Sequence, residues 1–138
     1  MNNAATTADN NDNNKYYFCT IHKTPKRATA TRQHVLDVLQ RHTAYFVALG
    51  QKGQCLVAGP FMDQTTEFGG GCYILIAKDE QEAQALADAD PFVSEGLYSH
   101  KILEWTKVVG WKPKTHTHTH TEEATKKTQA KNCVAVLF

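Results

Sequence analysis

The sequence predicts an α+β fold in which strands and helices follow the order β-α-β-β-α-β. Runs of apolar, aromatic and β-branched residues, which are typical of strands, occur at 15–22, 54–61, 72–77 and 97–109. Segments with the residue spacing or the capping signals of helices lie between these runs. This order is the split βαβ arrangement of ferredoxin-like folds, in which an antiparallel sheet carries both helices on one face.

The first strand is predicted at KYYFCTIH, residues 15–22. Successive side chains of a strand point to opposite faces, so one of Tyr16 and Tyr17 faces the interior, where its hydroxyl could donate to a ligand. The sequence leaves open which of the two it is. Pro25 and its basic neighbours predict a loop after this strand.

The first helix has the clearest pattern in the chain. Apolar residues recur at steps of three and four from Val35 to Leu49, which predicts one face of an amphipathic helix. His42 lies on this face and is therefore expected to point toward the interior. Gly50 and Gly53 follow and predict the end of the helix.

The second strand, QCLVAGPF, is expected to end at Gly59 and Pro60. This pair has two interpretations. It can simply terminate the strand, or the missing side chain of Gly59 can let a ligand approach the backbone. A polar loop and the glycines at 69–71 then lead to the third strand at 72–77.

The second helix is predicted at 79–89. Asp79 can accept from the exposed N–H groups of the first turn, and Glu82 stands three residues later, as in a capping box. Asp90 and Pro91 then predict a short turn before the last strand, at 97–109.

The 138 residues are expected to form one domain at 15–110, between a disordered N-terminal tail at 1–14 and a low-complexity C-terminal tail at 111–138. Fifteen basic and fourteen acidic residues nearly balance, so we expect no nucleic acid or membrane as a partner. No apolar run approaches the roughly 20 residues of a spanning helix, and the N-terminus has no signal-peptide core, so a cytoplasmic location is expected.

We expect neither a metal site nor a cofactor. The four cysteines form no Cys-x-x-Cys pair and are interpreted as free thiols. The alternating histidines of the C-terminal tail are interpreted as a non-specific tract rather than as metal ligands; they are His116, His118 and His120. The final CVAVLF, residues 133–138, is either an apolar chain end or a segment that adds to a sheet edge.

Several short motifs together resemble the YciI-like, or YCII-related, family over roughly two thirds of the chain. They are His42, Gly53, Ala58-Gly59-Pro60, Gly70-Gly71, Ala83, Asp90-Pro91-Phe92 and Trp105. The resemblance implies a dimeric α/β barrel, and hence a homodimer that binds a small-molecule ligand. Some members of the family are enzymes whose proposed acid and base are a His and an Asp, and these carry over to His42 and Asp90.

The function expected from this resemblance is that of a small cofactor-independent enzyme performing elimination or isomerisation on a small organic molecule. His42 and Asp90 would be catalytic, while Gly59 and Pro60 would bind substrate. The alternative is a non-catalytic dimeric domain that binds a small molecule or a protein. His42 could equally be an ordinary core residue, and Asp90 before Pro91 an ordinary helix N-cap.

The expected dimer also has a reason in the sheet. The helices cover one sheet face, and in an isolated copy the other face would be exposed to solvent. Tyr73 and Leu75, or the residues that alternate with them, are expected on this second face. Pairing with a second copy is the simplest way to bury it.

Overall fold

The computed structural model describes residues 14–110, so the predicted tails lie outside the described residues apart from Asn14. The elements are β1 (Lys15–Lys23), α1 (Pro25–Thr29), α2 (Arg32–Gln51), β2 (Cys55–Pro60), β3 (Gly71–Ala77), α3 (Glu80–Asp88), α4 (Pro91–Ser94) and β4 (Tyr98–Trp105). The four strands form one sheet in the order β2-β3-β1-β4, and every neighbouring pair is antiparallel. The predicted α+β, ferredoxin-like fold is confirmed.

One face of the sheet packs against the helices and forms the core. Tyr17, Cys19 and Ile21 of β1 are buried there, together with Tyr73 and Leu75 of β3. Of the two alternating sets that the sequence left open for β3, Tyr73 and Leu75 are therefore the set on the helix-covered face. Their alternates point the other way, as the period of two in a strand requires.

The second sheet face, here called the open face, carries apolar side chains with no helix over them among residues 14–110. Its members follow from the strand register and alternation; they are Tyr16, Phe18, Val57, Ile74, Ile76, Leu103 and Trp105. Tyr16 and Trp105 contact each other edge to face, with ring centroids 6.2 Å apart. Within residues 14–110, no helix has both the length and the apolarity needed to cross a bilayer.

The C-terminus of α2 shows why only one of the two glycines stops the helix. Gly50 lies inside the helix, so its predicted role as a stop signal was wrong. Gly53 adopts a φ of 73°, which a glycine tolerates without steric cost. The N–H groups of Gln54 and Gly53 donate to the carbonyls of Leu49 and Gly50, which is the Schellman arrangement.

Two short helices replace predicted loops and turns. Thr24 caps α1 by accepting from the N–H of Arg27, and Pro25 follows at the first helical position. Asp90 and Pro91 begin α4 in the same way. In each case the cap and the proline, rather than apolar periodicity, determine the helix.

The last strand is shorter than predicted. Tyr16 of β1 pairs with Trp105, and β1 begins only one residue earlier, so residues beyond Trp105 have almost no backbone left to pair with. Val108 and Val109 are accordingly exposed.

The start of α3 is as predicted. The Asp79 side chain accepts from the N–H of Glu82 at 2.8 Å, which confirms the predicted cap of this helix.

Candidate functional site

His42 and Asp90 come together although 48 positions separate them in the chain. His42 lies in the middle of α2, and Asp90 stands at the junction of α3 and α4. The Nδ1 atom of His42 is 2.7 Å from Oδ1 of Asp90, within hydrogen-bond distance. Helix α2 packs against α4, and this contact brings the two side chains together.

Aromatic rings hold the imidazole of His42 in place. The ring centroid of Phe46, one turn further along α2, is 4.9 Å away, and that of Phe92 is 4.4 Å away. The His42 side chain keeps 15% of its surface exposed, so it is neither sealed in the core nor free in solvent. A ring restrained in this way retains one orientation without losing access to a ligand.

Asp90 acts as a helix cap and as the partner of His42 through the same oxygen atom. Its Oδ1 accepts from the N–H of Phe92 at 3.0 Å and also lies against His42. The side chain is completely buried, and its Oδ2 has no hydrogen-bond partner among residues 14–110. The two interpretations of Asp90 left open by the sequence are therefore compatible.

A cavity of about 100 Å³ opens beside His42. It lies between α2 and the strands β1, β2 and β3, and its wall is mainly apolar. The lining residues are Ile21, His42, Thr43, Phe46, Ala58, Gly59, Pro60, Gly70, Gly71, Cys72 and Tyr73. Asp90 is not among them, so it stands behind His42 rather than at the cavity.

Gly59 and Pro60 both lie in the cavity wall, which is where the sequence-based interpretation needed them. A side chain at Gly59 would meet no atom within 4 Å, so there is open space beside this residue. At Gly71, by contrast, an added Cβ would lie 2.6 Å from the carbonyl oxygen of Gly59. The glycine at 71 thus permits β2 and β3 to approach each other at the cavity. The substrate-binding role of Gly59 and Pro60 stays a prediction.

Neither tyrosine of β1 lines this cavity. Tyr17 is buried on the helix-covered face and Tyr16 belongs to the open face. The tyrosine among residues 14–110 that does line it is Tyr73, whose sheet face the sequence left open. Phe46 was also missed as a site residue, although its position four residues after His42 on one helical stripe was a usable signal.

Burial governs the ionisation of the tyrosine and the cysteine in the cavity wall. Burial, with a smaller contribution from nearby groups that include Asp90, raises the pKa of Tyr73. Burial also raises the pKa of the Cys72 thiol. No cluster of three or more metal-ligating side chains occurs within residues 14–110; the tail histidines lie outside the described residues.

The arrangement can move a proton. When Nδ1 of His42 carries its proton and donates to Asp90, the other ring nitrogen, Nε2, holds a lone pair that can accept one. A carboxylate that fixes this tautomer also stabilises the imidazolium formed after proton transfer. The pair therefore has the components of general acid–base chemistry next to a cavity.

Comparison with known proteins agrees with the fold. The model of the YCII-related domain family matches residues 16–106. No curated protein matches the chain. Among solved structures, the chain is similar to the 5-chloro-2-hydroxyhydroquinone dehydrochlorinase of Burkholderia phenoliruptrix, determined in complex with 2,5-dihydroxybenzoquinone. The two chains are 23% identical, the TM-score is 0.51, and the match covers 66% of this chain and 93% of the other.

Proposed function

Because this chain belongs to the YCII-related domain family, we propose that it is a small enzyme that needs no cofactor and transfers a proton on a small organic molecule. His42 is the general acid and base, and Asp90 orients it. The reaction is an elimination or an isomerisation. The observation that carries this proposal is the 2.7 Å contact between His42 and the fully buried Asp90, at the wall of a cavity.

In this proposal each residue has a distinct part. In the first step, Nε2 of His42 accepts a proton from the substrate. Asp90 stabilises the resulting charge on the ring, while the N–H of Phe92 keeps the carboxylate in position. In the second step, the imidazolium returns a proton to another atom of the substrate in an isomerisation. In an elimination, a leaving group departs with its electron pair and the proton passes to solvent.

The substrate belongs among small, largely apolar molecules. The cavity is about 100 Å³ and its wall is formed mainly by apolar side chains and glycine backbone. The dehydrochlorinase of similar fold acts on a chlorinated hydroxyhydroquinone, as its name states. Hydroxylated quinones and cyclic ketones are therefore the first compounds to test.

Proton transfer can be measured without knowing the natural substrate. Candidate compounds are incubated with the protein in D₂O, and loss of C–H signals or release of a leaving group is followed by proton NMR. We expect His42→Ala to lower the rate by about 100- to 10,000-fold, the usual contribution of a general acid or base. Asp90→Asn should also slow the reaction strongly, because it keeps an oxygen for the cap but removes the charge.

A second His–Asp pair provides the control. His100 and Asp88 are also 2.7 Å apart, between β4 and the end of α3, and neither lines the cavity. His100→Ala removes an imidazole of the same kind at the wrong place, so turnover should persist. Equal losses in His42→Ala and His100→Ala, or full activity in His42→Ala, would contradict the proposal. Binding of a compound without any exchange would favour a non-catalytic binding domain.

We also propose that the domain is a homodimer joined through the open face. Three apolar side chains of this face are substantially exposed: Val57 by 57%, Leu103 by 69% and Trp105 by 42%. Contiguous apolar surface of this kind marks interaction sites. A second copy is the natural partner, because a two-fold contact buries the same surface on both chains.

A further inference from the structure

Gln64 closes the loop that joins β2 to β3, and both ends of this loop meet the cavity wall. The loop, residues 61–70, follows Pro60 and ends at Gly70, and both of these residues line the cavity. The side-chain nitrogen of Gln64 donates to the carbonyl of Phe61 at 2.6 Å and to that of Gly70 at 2.8 Å. One amide group therefore ties the first residue of the loop to the last.

The side chain of Gln64 supplies a hydrogen bond that the sheet lacks at this point. Phe61 and Gly70 stand opposite each other, one step beyond the last pair in the register of β2 and β3. Residues paired in this way in a regular antiparallel ladder exchange two N–H···O bonds, but here only the N–H of Phe61 donates to Gly70, at 3.0 Å. The N–H of Gly70 donates instead to the carbonyl of Ile21 in β1, at 2.7 Å. Gln64 gives the carbonyl of Phe61 the donor that it would otherwise lack.

The chemistry of a primary amide explains why a glutamine suits this position. Its nitrogen carries two N–H donors, which match the two carbonyl oxygens that it faces. Reversing the amide would point the side-chain oxygen at two other oxygens, so only one orientation fits. The oxygen Oε1 of Gln64 is buried and has no hydrogen-bond partner among residues 14–110. A buried polar atom without a partner destabilises the folded chain, and the two bonds made by the nitrogen offset this cost.

We propose that Gln64 is a positioning residue of the candidate site, which holds the two ends of the loop at the separation that keeps the cavity formed in the absence of a ligand. The proposal rests on the proposed function in that it concerns the same cavity. Gly70 is bound to β1 through its N–H, and its carbonyl accepts from both Phe61 and Gln64. A wall that is formed in advance binds a ligand without first having to be ordered, which favours molecules that match its shape.

The contact between His42 and Asp90 does not involve this loop. The two side chains are brought together by α2 and α4, and the carboxylate is held by the N–H of Phe92. A change at Gln64 should therefore affect how well a compound fits, and not the proton transfer itself. For any compound that the protein turns over, Gln64→Met should raise KM and leave kcat nearly unchanged, as loss of uniform binding does.

Xenon serves as a probe of the cavity alone, since apolar cavities in proteins bind it without any polar contact. Its binding to the full-length protein is followed by NMR titration under xenon pressure, through the backbone amide signals of the cavity wall. Methionine has a similar length but no donor, and an ionised glutamate has the same shape but cannot donate. We expect Gln64→Met and Gln64→Glu to bind xenon about fivefold or more weakly than the wild type, because each lost hydrogen bond shifts the equilibrium away from the formed wall by about fivefold.

Gln33 provides the matched control. Its side-chain nitrogen also donates a hydrogen bond, to Oδ1 of Asp37 at 2.9 Å, but Gln33 is exposed at the start of α2 and does not line the cavity. Gln33→Met and Gln33→Glu should bind xenon like the wild type. Hydrogen exchange tests the bonds themselves, since the side-chain amide protons of Gln64 should exchange with D₂O more slowly than those of Gln33.

Wild-type xenon affinity in either folded variant of Gln64, or an equal loss in the variants of Gln33, would overturn the proposal. So would equally fast exchange of the two side-chain amides, or the absence of xenon-dependent shifts at the cavity wall of the wild type. Unfolding of Gln64→Met would also contradict it, because a residue that only positions the wall is not needed by the core. Xenon binding is measured without turnover, so a protein inactive towards every compound would contradict the proposed function alone.

Discussion

Leu103 lies on the open face, in the edge strand β4, with 69% of its surface exposed. Full burial of a leucine is worth about 1.5–3 kcal/mol, so covering the exposed part contributes about 1–2 kcal/mol per copy. A two-fold interface contains the residue twice, which gives about 2–4 kcal/mol for the dimer. Leu103→Asp should therefore weaken the dimer by about 30- to 1000-fold, and burial of two carboxylates adds to this.

Sedimentation equilibrium over about 1–100 μM measures the effect, because this range brackets the micromolar dissociation constants of moderate-affinity dimers. Val47→Asp is the matched control. Val47 is also half exposed, at 50%, but it belongs to α2, on the opposite side of the sheet from the open face. This variant introduces the same charge at a similarly exposed apolar site and should dimerise like the wild type.

A wild-type protein that stays monomeric at tens of micromolar would refute the dimer itself. Dimerisation of Leu103→Asp with wild-type affinity would refute the assignment of the interface to the open face. Equal dissociation of Leu103→Asp and Val47→Asp would show that added charge, rather than the location of Leu103, had caused the change.

Three further predictions concern single groups. Burial raises the pKa of Cys19 to about 12 and that of Cys55 to about 11. Neither thiol should therefore react with iodoacetamide at pH 8 until the protein unfolds, and mass spectrometry of the alkylated protein measures this. Gly71→Ala places a Cβ 2.6 Å from the carbonyl oxygen of Gly59. It should lower the free energy of unfolding, measured by chemical denaturation, by about 1–3 kcal/mol. An unchanged denaturation midpoint would contradict the close approach of the two strands. Desolvation, together with a nearby lysine, lowers the pKa of His22 below 6.5 in the folded chain. The unfolded chain therefore binds more protons, and the free energy of unfolding should fall as the pH drops through 6.5. His22→Gln should reduce this pH dependence.

The sequence predicted the helix that carries His42 because polar and apolar residues contrast along it. In α2 the exposed Gln40 and Arg41 directly precede His42, while Val38 and Leu39 are buried. The short helices were not predictable in this way, since α1 has five residues and α4 has four. Segments of that length are too short to show a period, and their caps resemble those of ordinary turns.

The sequence left open which face of β3 is buried, because the strand gives no contrast. Its sequence, GCYILIA, is apolar on both sides, and a period of two cannot identify the core face when both alternating sets are apolar. The same lack of contrast supports the dimer, because strands with a solvated face normally alternate apolar and polar residues. The ambiguity about the face of Tyr73 and the apolar character of the open face thus have one cause. Without the correct face, Tyr73 could not be predicted as a residue of the cavity.

The contact between His42 and Asp90 was predictable in outline, from two neighbouring helices on one sheet face, but the part of Phe92 was not. Its backbone N–H donates to Oδ1 of Asp90, and its ring lies 4.4 Å from that of His42. One residue at the start of α4 therefore restrains both members of the pair. Capping and pairing had been treated as competing interpretations because an N-cap needs no further purpose, yet one carboxylate oxygen can accept two hydrogen bonds. The cap that fixes the start of α4 also aligns the carboxylate with His42, so the local fold and the candidate chemistry depend on the same atom.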